Sequence, residues 1–162
     1  MTKIGVISDT HLKKPDKDLA TIIQKHFHDA NMIIHAGDMV TLDVLSPFIA
    51  LDKEVLAVCG NMDSHDIQKT CPIRRTIRIE EFSIGIIHGW GSPHGIRERI
   101  RTSFEKVDAI IYGHTHQAFC AYEDGIFFFN PGSPTDSRFT SSNSIGIIKV
   151  NGKKIEGEIV LL

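Results

Sequence analysis

Residues 3–8, 32–36 and 55–59 are nearly continuous apolar runs rich in β-branched side chains. Such runs predict strands buried on both faces, not the alternating pattern of a half-exposed sheet. Between the first two, Pro15-Asp16 opens a helix on which Leu19, Ile22, Ile23, Phe27 and Ala30 form a stripe of helical period. Between the second and third, residues 41–50 predict another helix with Leu42, Leu45 and Ile49 on one side. Pro47 conflicts with one continuous helix there, so a kink, or a restart with Ser46 as N-cap, is expected. Strand, helix, strand in repetition predicts β–α–β units and a parallel sheet.

The second half changes character. Residues 73–80 and 82–88 predict paired strands. Ser92-Pro93 predicts an N-cap followed by the first helical position, with Ile96, Ile100 and Phe104 as the apolar face and Arg97, Arg99 and Arg101 solvated. A buried strand at 109–112 precedes a hairpin, 118–122 with 125–129, around Glu123-Asp124-Gly125. Phe127-Phe128-Phe129 predicts core on both faces of a sandwich. A last hairpin, 145–150 with 155–161, is expected to turn at Asn151-Gly152 in type I′ form.

Polar residues gather at the ends of these strands. Asp9 and His11 follow the first, Asp38 the second, and Asn61 the third. His88 ends the 82–88 run, and Gly113-His114-Thr115-His116 follows 109–112. Open α/β sheets place ligands outside the carboxyl ends of their strands. Two histidines two apart leave a strand on the same face, or diverge slightly on a tight turn to serve two neighbouring ions. His35 reads as a packed, hydrogen-bonded histidine, and His26 and His28 as surface residues.

Composition narrows the class. A chain of 162 residues with 41% apolar and 23% charged residues suits one domain, 1–162, with a sizeable core. The net charge of −2 offers no global field for nucleic acid or an anionic membrane. No run is long enough to span a bilayer, and the N-terminus enters a strand without a signal peptide. Three scattered cysteines make no disulfide framework. A cytoplasmic protein is therefore expected.

Seven groups remain: Asp9, His11, Asp38, Asn61, His88, His114 and His116. Burying them unpaired in one cleft would be costly, and cations relieve that cost. One ion takes about four to six ligands, so seven suit two ions sharing a bridging carboxylate. Carboxylates mixed with imidazoles favour Mn²⁺, Fe²⁺ or Zn²⁺ over Ca²⁺ or a thiolate site. Two such ions roughly 3.5–4 Å apart clamp an in-line displacement at phosphorus and bring the pKa of water toward about 7.

The ordered series Asp9-x-His11, Gly37-Asp38, Gly60-Asn61-x-Asp63, His88-Gly89 and Gly113-His114-x-His116 resembles the calcineurin-like metallophosphoesterase family. The small size and the Asn130-Pro131-Gly132-Ser133 loop further resemble the YfcE-type bacterial and archaeal phosphodiesterases. The resemblance implies an α/β fold, a four-layer αββα sandwich of two mixed sheets flanked by helices. It implies that Asp9, His11, Asp38 and His116 hold one metal. Asp38, Asn61, His88 and His114 would hold the second, with Asp38 as the bridge and Asn61 also facing a phosphate oxygen. Asp63 would orient a ligand imidazole from behind, or serve as an ordinary turn aspartate. The implied cofactor is a pair of divalent ions, Mn²⁺ first, with Fe²⁺, Zn²⁺ or Ni²⁺ as alternatives. The implied reaction is hydrolysis of a small phosphodiester by a metal-bridging hydroxide, and a homodimer is plausible in this family.

Two positions depart from the family pattern. Met62 stands where many members carry a histidine that protonates the leaving group, a loss of ~10²–10⁴-fold for a poor leaving group. Diesters with good leaving groups are therefore expected, with His65 and His94 as candidate replacement donors. Trp90 stands where close relatives often have histidine; it walls the pocket, stacks on a base, or is core. The alternatives are a phosphomonoesterase, or a non-catalytic scaffold like the retromer subunit Vps29 on the same fold.

Overall fold

The computed structural model describes residues 1–136 and 138–162. In chain order the elements are β1 (Thr2–Ile7), α1 (Lys17–Phe27), β2 (Met32–His35), α2 (Ser46–Ile49), β3 (Glu54–Ala57), α3 (His65–Thr70) and β4 (Arg74–Ile79). They continue with β5 (Phe82–Ile87), α4 (Ile96–Arg101), β6 (Ala109–Ile111), β7 (Phe119–Glu123), β8 (Ile126–Asn130), β9 (Ser144–Asn151) and β10 (Lys154–Leu161). Two five-stranded mixed sheets result, in the orders β10-β9-β1-β2-β3 and β4-β5-β6-β8-β7.

Three apolar layers separate four structural ones. Ile4, Val6 and Ile34 of the first sheet meet Ile84, Ile86, Ile111, Phe127 and Phe129 of the second. The outer face of the first sheet buries Ile7 and Ile33 against Leu19, Ile23 and Phe27 of α1, Phe48 of α2 and Ile67 of α3. The outer face of the second buries Ile110 and Phe128 against Ile96 and Ile100 of α4. This is the αββα sandwich. Phe127, Phe128 and Phe129 divide between the two faces of one strand, as the period of two requires. Among the described residues, no helix is long and apolar enough to cross a membrane.

Several local expectations are corrected. The break expected near Pro47 is present, as a 3₁₀ turn at Leu42–Leu45 followed by α2, but the N-cap of α2 is Leu45 and not Ser46. Three residues per turn, then a restart at Ser46-Pro47, shift the phase of the buried face. Val44 and Phe48 are buried, while Leu42 and Ile49 are exposed. The Ser92-Pro93 pair does not begin α4, whose N-cap is Gly95 at φ +69°. The preceding loop is gathered instead by Arg99, which donates to the carbonyls of Trp90, Ser92 and His94. Arg97 is not simply solvated: it pairs with Glu123 at 2.7 Å and lies 4.1 Å over the Phe119 ring. The type I′ pattern sits at Asp124-Gly125, both at positive φ. The last hairpin pairs Asn151 with Lys154 around Gly152-Lys153, and only Gly152 there has positive φ, the II′ pattern.

Strands β1, β2 and β3 run parallel, as do β5, β6 and β8. Their carboxyl ends therefore open together at one rim. Six loops meet there, and the chemistry of the chain lies on them.

Candidate metal centre

The rim loops are stitched to one another through the backbone. Asp9 N donates to Gly37 O and His11 N to Asp38 O, each at 3.0 Å. Gly113 N reaches His88 O at 3.1 Å, and Ser133 Oγ reaches Asp9 O at 2.7 Å. Asp9, His11, Asp38, His114 and His116 all adopt left-handed φ between 48° and 70°, and Val40 stands at 77°. Non-glycine residues rarely do so, and a cluster of them marks a site whose side chains are aimed against local preference. Two glycines make room. A Cβ on Gly60 would strike the Asp38 carboxylate, and one on Gly113 would strike the Ser8 hydroxyl.

All seven residues singled out from the sequence lie at this rim, and the side chains converge. One ligand atom each of Asp9, His11 and His116 lies within 4.8 Å of the others, and the same holds for Asp9, Asp38 and His88. Asp9 Oδ1 is 3.7 Å from His11 Nε2, 3.8 Å from His88 Nε2 and 3.3 Å from His116 Nε2. Asp38 Oδ2 is 3.7 Å from His11 Nε2 and 3.2 Å from His88 Nε2. The other oxygens are taken: Asp9 Oδ2 accepts from Ser8 Oγ and His114 N, and Asp38 Oδ1 from Met62 N. Each carboxylate thus keeps one oxygen facing inward. Asn61 and His114 stand together, Oδ1 to Nδ1 at 3.0 Å, and the His114 ring lies 5.4 Å from that of His88.

The outer ring nitrogens say which inner ones carry lone pairs. His88 Nδ1 lies 2.8 Å from Ala36 O, and His114 Nε2 lies 2.7 Å from Gly91 O. A carbonyl only accepts, so the proton sits on those nitrogens. His88 Nε2 and His114 Nδ1 then present lone pairs toward Asp38 Oδ2 and Asn61 Oδ1, which are acceptors too. His88 Nε2 is buried without a hydrogen bond. Lone pairs converging on lone pairs in a buried place fit a cation, and this donor set of carboxylate oxygens, amide oxygen and imidazoles fits a divalent transition metal.

Charge tells the same story. Burial alone would push the Asp9 carboxyl up, yet His11, His116, His88 and Ser8 together hold it well below the ordinary carboxylate range. Burial works against a charged His88, but Asp38 and Asp9 outweigh it and raise its pKa to about 9. Burial likewise opposes charge on His116, and Asp9 with Asp136 pulls it upward. Two buried carboxylates demand positive charge, which either a second proton on these rings or a cation that displaces that proton from the inner nitrogens would supply.

The other named residues divide. Asp63 is a correction: its carboxylate does not touch an imidazole. It accepts from Val40 N at 2.7 Å, Gly60 N at 2.7 Å and Asp38 N at 3.0 Å. It therefore shapes the Asp38 and Asn61 turns by tying their backbones together. Met62 is exposed, as are His65 and His94, and neither histidine side chain hydrogen-bonds to the cluster. His35 is the packed residue expected, between Thr10 Oγ1 at 3.1 Å and Gly37 N at 3.2 Å. Burial drives its pKa down to about 4.

One residue escaped the sequence reading. Asp136, on the loop after β8, places Oδ2 2.8 Å from His116 Nδ1, an ion-pair distance off the line of a hydrogen bond. Arg138 grips the same carboxylate and holds its pKa down to about 2. The only local cue was an acidic residue in a Ser- and Pro-rich loop, which is also what an ordinary turn looks like.

Comparison with known proteins adds a lineage. Residues 2–153 match the family model described as the calcineurin-like phosphoesterase superfamily domain. A probable metallophosphoesterase of Methanothermobacter thermautotrophicus is 37% identical over 159 residues, covering 97% of this chain and 91% of that protein. A phosphodiesterase of Methanocaldococcus jannaschii is 31% identical over 172 aligned positions, covering 98% of this chain and 99% of that protein. The crystal structure of Chaetomium thermophilum Vps29 superposes with a TM-score of 0.80 at 18% identity, over 99% of this chain and 94% of that one. At that identity the last likeness is one of fold.

Proposed function

This chain belongs to the calcineurin-like phosphoesterase superfamily, and from that premise we propose that it is a dinuclear metal-dependent phosphodiesterase. The observation that carries the reading is the inward convergence of Asp9 Oδ1, Asp38 Oδ2 and the imidazole nitrogens, with outer nitrogens anchored on carbonyls and a carboxylate. Asp9, His11, Asp38 and His116 would hold one ion, and Asp38, Asn61, His88 and His114 the other. Asp38 Oδ2 is close to an imidazole of each set, which supports it as the bridge. Asp9 Oδ1 is equally central, 3.3–3.8 Å from ring nitrogens of His11, His88 and His116. When bound, the ions polarise phosphorus oxygens and lower the pKa of a water toward about 7.

The protein's own part is positioning. Two anionic oxygens and four imidazoles are fixed in one place before substrate arrives, by strand ends and backbone stitching. Asn61 supplies an amide at the rim that can meet a phosphate oxygen. Among the described residues, none in contact with the cluster is placed to protonate a departing alkoxide: Met62 cannot, and His65 and His94 are exposed without a hydrogen bond to it. The leaving group must therefore depart as a stable anion or take its proton from solvent. This favours esters with good leaving groups; the diester preference is proposed from the likeness to the Methanocaldococcus jannaschii phosphodiesterase, and Mn²⁺ is the proposed physiological ion, with Fe²⁺, Zn²⁺ or Ni²⁺ as substitutes.

The test is turnover of bis(p-nitrophenyl) phosphate against p-nitrophenyl phosphate, with Mn²⁺, Ni²⁺, Zn²⁺ and Mg²⁺ in turn. Faster diester cleavage, lost in His116→Ala, is expected. Equal rates on the two esters would refute the diester preference. Stoichiometric metal without turnover of either ester would favour the second reading, a non-catalytic scaffold, which the fold likeness to Vps29 supports.

A further inference from the structure

A cleft of about 510 Å³ opens beside the proposed metal centre, with His88 and Asn61 in its lining. Its walls include the buried Ile87 and the solvent-reaching Ile73 and Trp90, which are 72% and 46% exposed. Single exposed apolar side chains are ordinary. Two that line one cleft ending on a polar, buried centre are a binding-site lining. Gln68 contributes a side-chain amide whose Nε2 is fixed by a 3.0 Å bond to Asp63 O. No Lys or Arg lines the cleft among the described residues.

Trp90 is held in place by its main chain. Arg99 donates to Trp90 O from Nε at 3.3 Å and from Nη2 at 3.1 Å. On the next residue, Gly91 O meets His114 Nε2 at 2.7 Å. The indole therefore stands on a loop fastened to α4 on one side and to a proposed metal ligand on the other. A backbone so fixed loses little further entropy when something packs on its side chain.

We infer that this cleft receives the nucleoside of a phosphodiester, with its base stacked on Trp90. The inference rests on the phosphodiesterase reading and names its substrate class. One phosphate is served by the metal centre. A second phosphate in the cleft would meet no lysine or arginine, so the lining does not favour a nucleoside polyphosphate. An acyl chain would satisfy the apolar walls but make no use of the amides of Gln68 and Asn61. A base offers a flat face for the indole and polar edges for the amides, and the volume suits one nucleoside.

Trp90 is the sole tryptophan of the chain, so fluorescence excited at the red edge, where the two tyrosines do not absorb, reports on this cleft. Metal-free protein is titrated with adenosine, with ribose 5-phosphate and 1-octanol as comparators. Saturable quenching by adenosine, weakened in Ile73→Glu, is the expected result; Ile73 is exposed enough for that change to spare the core. In Mn²⁺-loaded enzyme, the kcat/KM ratio of thymidine 5′-(p-nitrophenyl phosphate) to methyl p-nitrophenyl phosphate should fall about fivefold or more in Trp90→Ala. The two esters share a leaving group, so the ratio isolates the nucleoside. Absence of saturable quenching, stronger quenching by octanol, or an unchanged ratio would each overturn the inference. Quenching without turnover of any diester would refute the phosphodiesterase reading and leave the nucleoside cleft standing.

Discussion

Replacing Asp136 by Asn tests the metal centre at a residue that would not itself touch metal. In the structure the Asp136 carboxylate lies 2.8 Å from the outer nitrogen of His116 and is gripped by Arg138. Asparagine keeps the shape and loses the charge. His116 then lacks the anion that keeps its proton outward and its inner lone pair basic, and Arg138 loses its counter-ion beside the centre. Both changes weaken cation binding. Removal of such an outer partner typically costs 10–100-fold in metal affinity, which is about 1.4–2.7 kcal/mol. The loss should fall on one of two binding steps. His88, proposed for the other ion, is anchored on the neutral Ala36 carbonyl, which the substitution leaves alone. The assay is chelator-competition titration with Zn²⁺, resolved into two constants, with Asp136→Glu as a partial rescue. Two unchanged constants, or equal weakening of both, would refute the reasoning.

Gly60→Ala should drive a Cβ into the Asp38 carboxylate and backbone; a loss of about 1–3 kcal/mol in stability and of metal stoichiometry is expected, and a wild-type melt with full metal loading would contradict it. Phe129→Ala removes a fully buried ring between the sheets and should cost about 3–5 kcal/mol, lowering Tm by very roughly 6–20 °C in thermal unfolding. His35 titrates at about 4 when folded and near 6.5 when not. Its stabilising effect is therefore present above pH 6.5 and lost as pH falls through 4, up to about 3 kcal/mol. Urea denaturation of His35→Gln should show a flatter decline over that window than wild type, and parallel curves would exclude His35 as the cause.

The amino-acid sequence alone determined the strands and the residues at their carboxyl tips. Continuous apolar runs and the breakers after them are local signals, and one dimension carries them in full. Asp9, His11, Asp38, Asn61, His88, His114 and His116 were legible because each follows such a run. Only the tertiary structure decided what depends on approach between distant segments. Asp136 reaches His116 because β8 lies parallel beside β6, a pairing no local pattern records. Asp63 caps backbone amides instead of steering an imidazole because the loops after β2 and β3 meet. The buried face of the 41–50 segment, the start of α4 and the hand of the last turn went the same way. Each is a choice between states close in local energy, settled by burial, ion pairing and sheet twist, which act only once the chain has folded.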